Sequence, residues 1–339
     1  MNYAAPLWLP GGDLQTIWPA LYARRVAGAR VSYRRERWSA PDGDFIDVDF
    51  GAWAVPAGRP LLVLFHGLEG SSRSHYAEAF AGFARSRGIG FAVPHFRGCS
   101  GEINLAPRAY HSGDFEEIEW IVRRLHALEQ ARAGGPLIAV GVSLGGNVLL
   151  RWAEEMGESA AGLVKAIAAV SAPLDLVASG HAIGRGFNRQ LYTRMFLRTM
   201  VPKALHKLAQ YPGLFSRERL LAARDLYEFD NVFTAPLHGY RDTEDYWRRA
   251  SAKPQLHRVR IPALLVNARN DPFVPGESLP RTQDVTEPVM LWQPAQGGHV
   301  GFATGRWPPG RLCTIPGLVG GWLVSRLDRC YVQPVMHHG

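Results

Sequence analysis

Apolar and polar positions along the chain change period several times, and the changes mark its elements. Residues 60–66, 90–94, 136–140, 166–170, 261–267 and 289–292 are short apolar, partly β-branched runs that read as buried strands. Residues 75–84, 114–125 and 147–155 read as helices, and Ser112 or Asp114 stands where it can cap the first turn of the second. Strand alternating with helix predicts an α/β fold, a mostly parallel, doubly wound sheet with helices on both faces. Ahead of it, residues 31–52 alternate enough to supply antiparallel edge strands. Between about 176 and 255 the alternation stops, and the stretch reads as helix and loop, with Phe187, Leu191, Met195, Phe196 and Met200 among its apolar residues. The division that follows is a core in two parts, 1–175 (with an N-terminal extension, 1–30) and 256–339, interrupted by a helical cap insertion, 176–255.

Composition changes this picture little. A chain of 339 residues with 47% hydrophobic content can bury one large core plus a cap. No run of roughly 18 apolar residues occurs and the N-terminus lacks a basic-apolar-small leader, which predicts a soluble cytoplasmic protein. Cys99, Cys313 and Cys330 are odd in number and unrelated in spacing, giving neither a disulfide framework nor a zinc site. His337 and His338 are too few and too terminal for a metal site. The net charge of +8 has no lysine-arginine cluster with interleaved aromatics behind it, so no nucleic-acid partner is expected. Only Lys165, Lys203, Lys207 and Lys253 are lysines; the other 34 of the 38 basic residues are arginine. One stretch, from Asp175 to Glu218, has no acid between its ends but carries Arg185, Arg189, Arg194, Arg198, Lys203, Lys207 and Arg217. It is either a solvated surface or a surface for peripheral contact with an anionic membrane or an acidic substrate.

The chemistry sits where a strand meets a helix. Gly141-Val142-Ser143-Leu144-Gly145 follows the 136–140 run and opens the 147–155 helix, the context in which Gly-x-Ser-x-Gly is a nucleophile elbow. A serine so placed needs a base, and the base needs an orienting carboxylate, in the order Ser, acid, His. Asp271 follows the strand 261–267 and comes 128 residues after Ser143; His299 follows the strand 289–292 by a glycine-rich loop and comes 28 residues after Asp271. Those spacings leave room for the cap before the acid and for one strand-helix unit between acid and base. Asp175, just past the 166–170 strand, is the rival acid. An oxyanion needs two backbone donors, and the His66-Gly67-Leu68-Glu69-Gly70 loop after the 60–66 strand supplies one from Leu68, with Leu144 supplying the other. His66 itself reads as a buried, loop-shaping residue.

Several separate stretches add a resemblance. Gly12-Asp13-Leu14-Gln15-Thr16, His66 to Gly70, Phe96 to Gly101, Tyr110 to Gly113, Gly141 to Asn147, Thr234 to Tyr240, Asn267-Ala268, Asp271-Pro272-Phe273 and Gly298-His299 together resemble the YheT-like family of α/β-hydrolases, related to eukaryotic abhydrolase-domain lipid esterases. The resemblance implies the α/β-hydrolase fold and a triad of Ser143, Asp271 and His299. It also implies that Arg97 and Cys99 shape a loop beside the site. Asp13, where the family often has histidine, and Asp114-Phe115, where it has an acidic-threonine pair, depart from the pattern outside the triad. The expected activity is hydrolysis of a carboxylic ester of medium or long acyl chain through an acyl-enzyme, without cofactor or metal, on a small-molecule ester or lipid. Acyl transfer to an alcohol, or a catalytically idle binding protein on the same scaffold, are the alternatives, and the oligomeric state stays open.

Overall fold

The expected alternation appears as an eight-stranded sheet in a computed structural model that describes residues 2–26 and 30–327. Its strands are β1 Tyr33–Ser39, β2 Phe45–Gly51, β3 Leu61–Phe65, β4 Gly90–Pro94, β5 Leu137–Val142, β6 Val164–Val170, β7 Ala263–Val266 and β8 Val289–Trp292, in the order β1-β2-β4-β3-β5-β6-β7-β8. β1 and β2 pair antiparallel, β2 lies antiparallel to β4, and every pairing from β4 to β8 is parallel. Residues 31–52 thus supply the antiparallel edge as expected. Helices α1 Gly12–Leu21, α2 His75–Ser86, α3 Phe115–Ala131 and α4 Leu144–Met156 precede β6. Between β6 and β7 come α5 Leu176–Ile183, α6 Gly186–Asn188, α7 Arg194–Gln210, α8 Arg217–Ala222, α9 Leu226–Val232, α10 Thr234–Leu237 and α11 Thr243–Ala250, without a strand. α12 Thr314–Val324 closes the described chain.

The central strands are apolar along their whole length because both faces are covered. Leu61, Val63 and Phe65 of β3 join Leu137 and Ala139 of β5 in the core shared with α3 and α4. The alternate residues Leu62, Leu64, Ile138, Val140 and Val142 face a second core shared with α2 and α12. Each such side chain contributes about 1.5–3 kcal/mol on full burial, which is why this region fixes the register. That register matters for chemistry: Phe65 pairs with Gly141, Val142 with Val170, and Val170 with Val266, so β3, β5, β6 and β7 end side by side. The loops after them share the carboxyl edge of the sheet, where open α/β sheets bind ligands.

Three expectations are corrected. No α-helix lies between Asp271 and His299; the chain makes only the 3-10 turns Gly276–Ser278 and Thr282–Asp284 before β8. Pro275 and Pro280 flank these turns, and proline lacks the amide a helix interior requires. Asp114 is the residue before α3, yet its side chain caps nothing, because it pairs instead with Arg108. Two of the seven cations in the acid-free stretch are turned inward: Lys207 is buried and donates to the Asn104 and Ala106 carbonyls at 2.6 and 2.9 Å, and Lys203 pairs with Glu69. Cys99 and Cys313 are unbonded thiols, and among the described residues no group of side chains has the makings of a metal site. Cys330, His337 and His338 lie outside the described residues. No described helix is long and apolar enough to cross a membrane.

Candidate active site

Ser143 occupies the turn between β5 and α4 with φ 53° and ψ −123°, a left-handed conformation that costs about 1–3 kcal/mol for a residue with a Cβ. Three hydrogen bonds hold it there. Its own amide donates to Val170 O at 2.8 Å, and the Gly146 and Asn147 amides donate to its carbonyl at 2.9 and 3.2 Å. The turn closes only because its neighbours are glycine: a Cβ on Gly141 would meet the Gly145 carbonyl, and one on Gly145 would meet the carbonyls of Phe65 and His66. The hydroxyl is left projecting.

His299 and Asp271 reach that hydroxyl from the β8 and β7 ends of the same edge. His299 Nε2 lies 3.0 Å from Ser143 Oγ, and His299 Nδ1 lies 2.9 Å from Asp271 Oδ2. A carboxylate only accepts, so Nδ1 carries the proton and bare Nε2 accepts from the serine hydroxyl. Asp271 is fixed in turn by the Phe273 amide, which donates to Oδ1 at 2.8 Å, and the Phe273 ring lies against His299 with centroids 4.2 Å apart. The Asp271 side chain is fully buried and that of His299 is 10% exposed. Asp175, the rival acid, caps α5 by accepting the Ala178 amide at 3.0 Å.

Residues with no assigned role in the sequence support both loops. Gln15 of α1 donates to Leu9 O at 2.9 Å, while its Oε1 accepts from Asn270 Nδ2 and from the Gly297 amide, each at 2.9 Å. Thr16 Oγ1 accepts the His299 amide at 2.8 Å and donates to Gly12 O at 2.7 Å. The acid loop and the base loop are therefore tied to one N-terminal helix. The motif Gly12 to Thr16 was the available signal, but nothing in its own residues says which loops it touches.

The oxyanion loop shows a similar economy. Gly67 N–H donates to the Tyr76 hydroxyl and Glu69 N–H to the Tyr110 hydroxyl, both at 2.8 Å. The Leu68 amide between them has no acceptor among the described residues, and neither has the Leu144 amide at the start of α4. His66 is fully buried; its Nδ1 donates to Gly67 O at 2.8 Å and its Nε2 accepts the Phe96 amide at 3.0 Å. Burial pushes its imidazole down to about 3, so it remains neutral and keeps that one arrangement. It shapes the loop, as the sequence suggested.

Ser143, His299, Leu68 and Leu144 open into a cleft whose other lining comes largely from α5, α7, α9 and α11, with Ile183, Phe196, Met200, Phe229 and Phe233 on it, and Phe273 of the acid loop beside His299. Arg97 also lines the cleft, anchored to Asp44 at 2.7 Å and to Glu117 at 2.5 Å. Burial pushes the Cys99 thiol up to about 12, away from the thiolate a nucleophile needs. Two polar groups on the wall are less fully used. Ser179 Oγ is buried without a partner among the described residues, and Asp230, pushed up to about 6 by burial, accepts from Thr234 Oγ1 and Trp247 Nε1. Asp13 accepts from the Tyr192 hydroxyl at 3.0 Å and so ties α1 to the segment entering α7.

Comparison with known proteins identifies the family and the fold. The alpha/beta hydrolase fold family matches residues 60–305. YheT of Escherichia coli (strain K12) is 40% identical over 298 residues, covering 86% of this chain and 84% of its own. Phospholipase ABHD3 of Mus musculus is 32% identical over 319 residues, covering 91% of this chain and 73% of its own. Among solved structures, carboxyl esterase 2 of Tuber melanosporum superposes with a TM-score of 0.56 at 15% identity, over 91% of this chain and 90% of that one, a likeness of fold.

Proposed function

The chain belongs to the YheT-like group of α/β-hydrolases, and from that membership we propose a serine esterase that cleaves carboxylic esters through an acyl-enzyme. The observation that carries the reading is the hydrogen-bonded line Asp271–His299–Ser143, beside two amides that have no acceptor among the described residues. Ser143 Oγ attacks the ester carbonyl as its proton passes to His299 Nε2. Asp271 stabilises the imidazolium, and the Leu68 and Leu144 amides receive the oxyanion, a donor of this kind being worth about 10²–10³ in rate. His299 then protonates the departing alcohol oxygen. Water, deprotonated by the same nitrogen, attacks the acyl carbonyl and releases the acid and free Ser143. An alcohol in place of that water would make the enzyme an acyltransferase by the same steps.

Residues 176–255 act in this reading as the cap insertion, and their apolar wall receives the acyl chain. Each methylene moved from water onto it is worth up to about 0.8 kcal/mol. A series of p-nitrophenyl esters from acetate to octanoate is therefore expected to show kcat/KM rising by about 10-fold or more before it levels, consistent with that increment. A profile that falls steadily from acetate would remove the wall from acyl binding, and no hydrolysis at any length would favour the idle binding protein.

The surface of the same helices carries a second reading. Phe187, Leu191 and Met195 are exposed large apolar residues beside Arg189, Arg194 and Arg198, which face a shallow surface groove without an acidic partner among the described residues. We infer that this face touches anionic lipid surfaces peripherally. Replacing the three arginines by Gln is expected to weaken binding to anionic vesicles by about 1 kcal/mol per residue at low salt, fading as salt shortens the screening length. Co-sedimentation measures it; equal sedimentation of wild type and variant at low salt would leave only a solvated surface.

A further inference from the structure

The oxyanion loop is held from a place its own sequence does not reveal. Glu69, next to Leu68, has φ 56°, a left-handed conformation that a side chain of this size keeps only under restraint. Its amide and its carboxylate meet the same hydroxyl: Tyr110 OH accepts Glu69 N–H at 2.8 Å and donates to Glu69 Oε1 at 2.9 Å. The Tyr110 ring is itself fixed, stacked on Phe96 at 5.4 Å and 6°. The remaining charge on the carboxylate is met from across the cleft by Lys203 of α7, whose Nζ lies 2.9 Å from Oε1 and 2.8 Å from Oε2. The Glu69 side chain is 10% exposed and that of Lys203 33%. Among the described residues, the other polar partner within reach of Lys203 Nζ is Cys99 Sγ at 3.8 Å, a neutral thiol that does not compete for the ammonium.

We propose that Lys203 is a positioning residue for the oxyanion donor: its ion pair with Glu69 keeps the Leu68 amide aimed, so the oxyanion site is complete only while α7 is docked over the sheet. Without the ammonium, Glu69 is a nearly buried anion held by one hydroxyl, and it reaches water by swinging outward. That motion releases the left-handed turn and carries the Leu68 N–H off its line, where donors must stand 2.7–3.1 Å from the oxyanion to act. The arrangement couples the helices over the cleft to the catalytic edge through one side chain. It rests on the esterase reading for its catalytic meaning, but not for its structural one.

Four variants test it: Lys203→Met, Lys203→Arg, Glu69→Gln and the double Lys203→Met/Glu69→Gln, each first checked for a folded thermal transition. The substrate is p-nitrophenyl acetate, too short to fill the apolar wall. Lys203→Met is expected to lower kcat by about 10–100-fold, somewhat less than outright loss of an oxyanion donor, with KM unchanged. Lys203→Arg keeps most of kcat, and the double variant is no worse than the poorer single one, because both members act on the same amide. Amide hydrogen exchange should quicken in residues 66–72 of Lys203→Met and stay unchanged in β5. An unaltered kcat, a change confined to KM, or single effects that multiply in the double variant would overturn the proposal. Should wild type hydrolyse no ester, the esterase reading fails, and exchange alone decides the latch: unchanged protection of 66–72 overturns it, and faster exchange upholds it. If Lys203→Met does not fold, Lys203→Gln is measured against the same outcomes.

Discussion

Ser143→Ala is expected to leave a folded protein whose ester hydrolysis has fallen by about 10⁶-fold, the scale of removing a triad nucleophile. Among the described residues the hydroxyl's side-chain partner is His299, while the bonds that hold the turn run through the Ser143 amide and carbonyl, which alanine keeps. Alanine also retains a Cβ, so the left-handed conformation costs it about what it costs serine. Thermal unfolding should therefore change little, and steady-state hydrolysis of a short p-nitrophenyl ester should nearly vanish. A fluorophosphonate should label wild type on Ser143, located by peptide mass, and leave the variant unlabelled. Activity close to wild type would sink the mechanism as a whole.

Asp271→Asn should lower kcat by about 10⁴-fold, because an amide facing Nδ1 favours the imidazole tautomer with its proton on Nε2, which cannot accept from serine. The structure of the loop should survive, since an Asn oxygen can still take the Phe273 amide that Asp271 Oδ1 now accepts at 2.8 Å. Asp175→Asn is the paired control. Its carboxylate accepts the Ala178 amide at the start of α5, a cap that asparagine makes about as well. Activity of that variant should match wild type. If it is the crippled one, the acid follows β6 rather than β7, and the line drawn through His299 is wrong.

How much of this is legible before folding differs by element, for physical reasons. β5, the elbow and α4 are readable because buried parallel strands are continuously apolar and because the elbow demands small neighbours, which Gly141 and Gly145 supply. α12 is not. Its sequence TIPGLVGGWLV is apolar throughout, with three glycines, so no helical period shows; packing against the sheet imposes the helix. α1 carries an internal proline, Pro19, and likewise gives a weak signal. The stretch before β8 suggested a helix by its length alone, and its prolines decided otherwise.

What the chain by itself determined is a set of candidate groups and their order: strand ends that carry Ser143, Asp175 or Asp271, and His299, and loops too glycine-rich to be core. Local chemistry suffices for that, since strand period and turn residues act over a few positions. What only the tertiary structure decided is which groups hold them. Thr16 reaches the His299 amide across 283 positions, Gln15 reaches Gly297 across 282, and Lys203 reaches Glu69 across 134. The positions of the two candidate carboxylates also come from the tertiary structure, Asp271 lying 2.9 Å from His299 and Asp175 capping a helix. Hydrogen bonds of this kind depend on where the sheet register sets each loop, and the register is a property of the whole packed core rather than of any local segment.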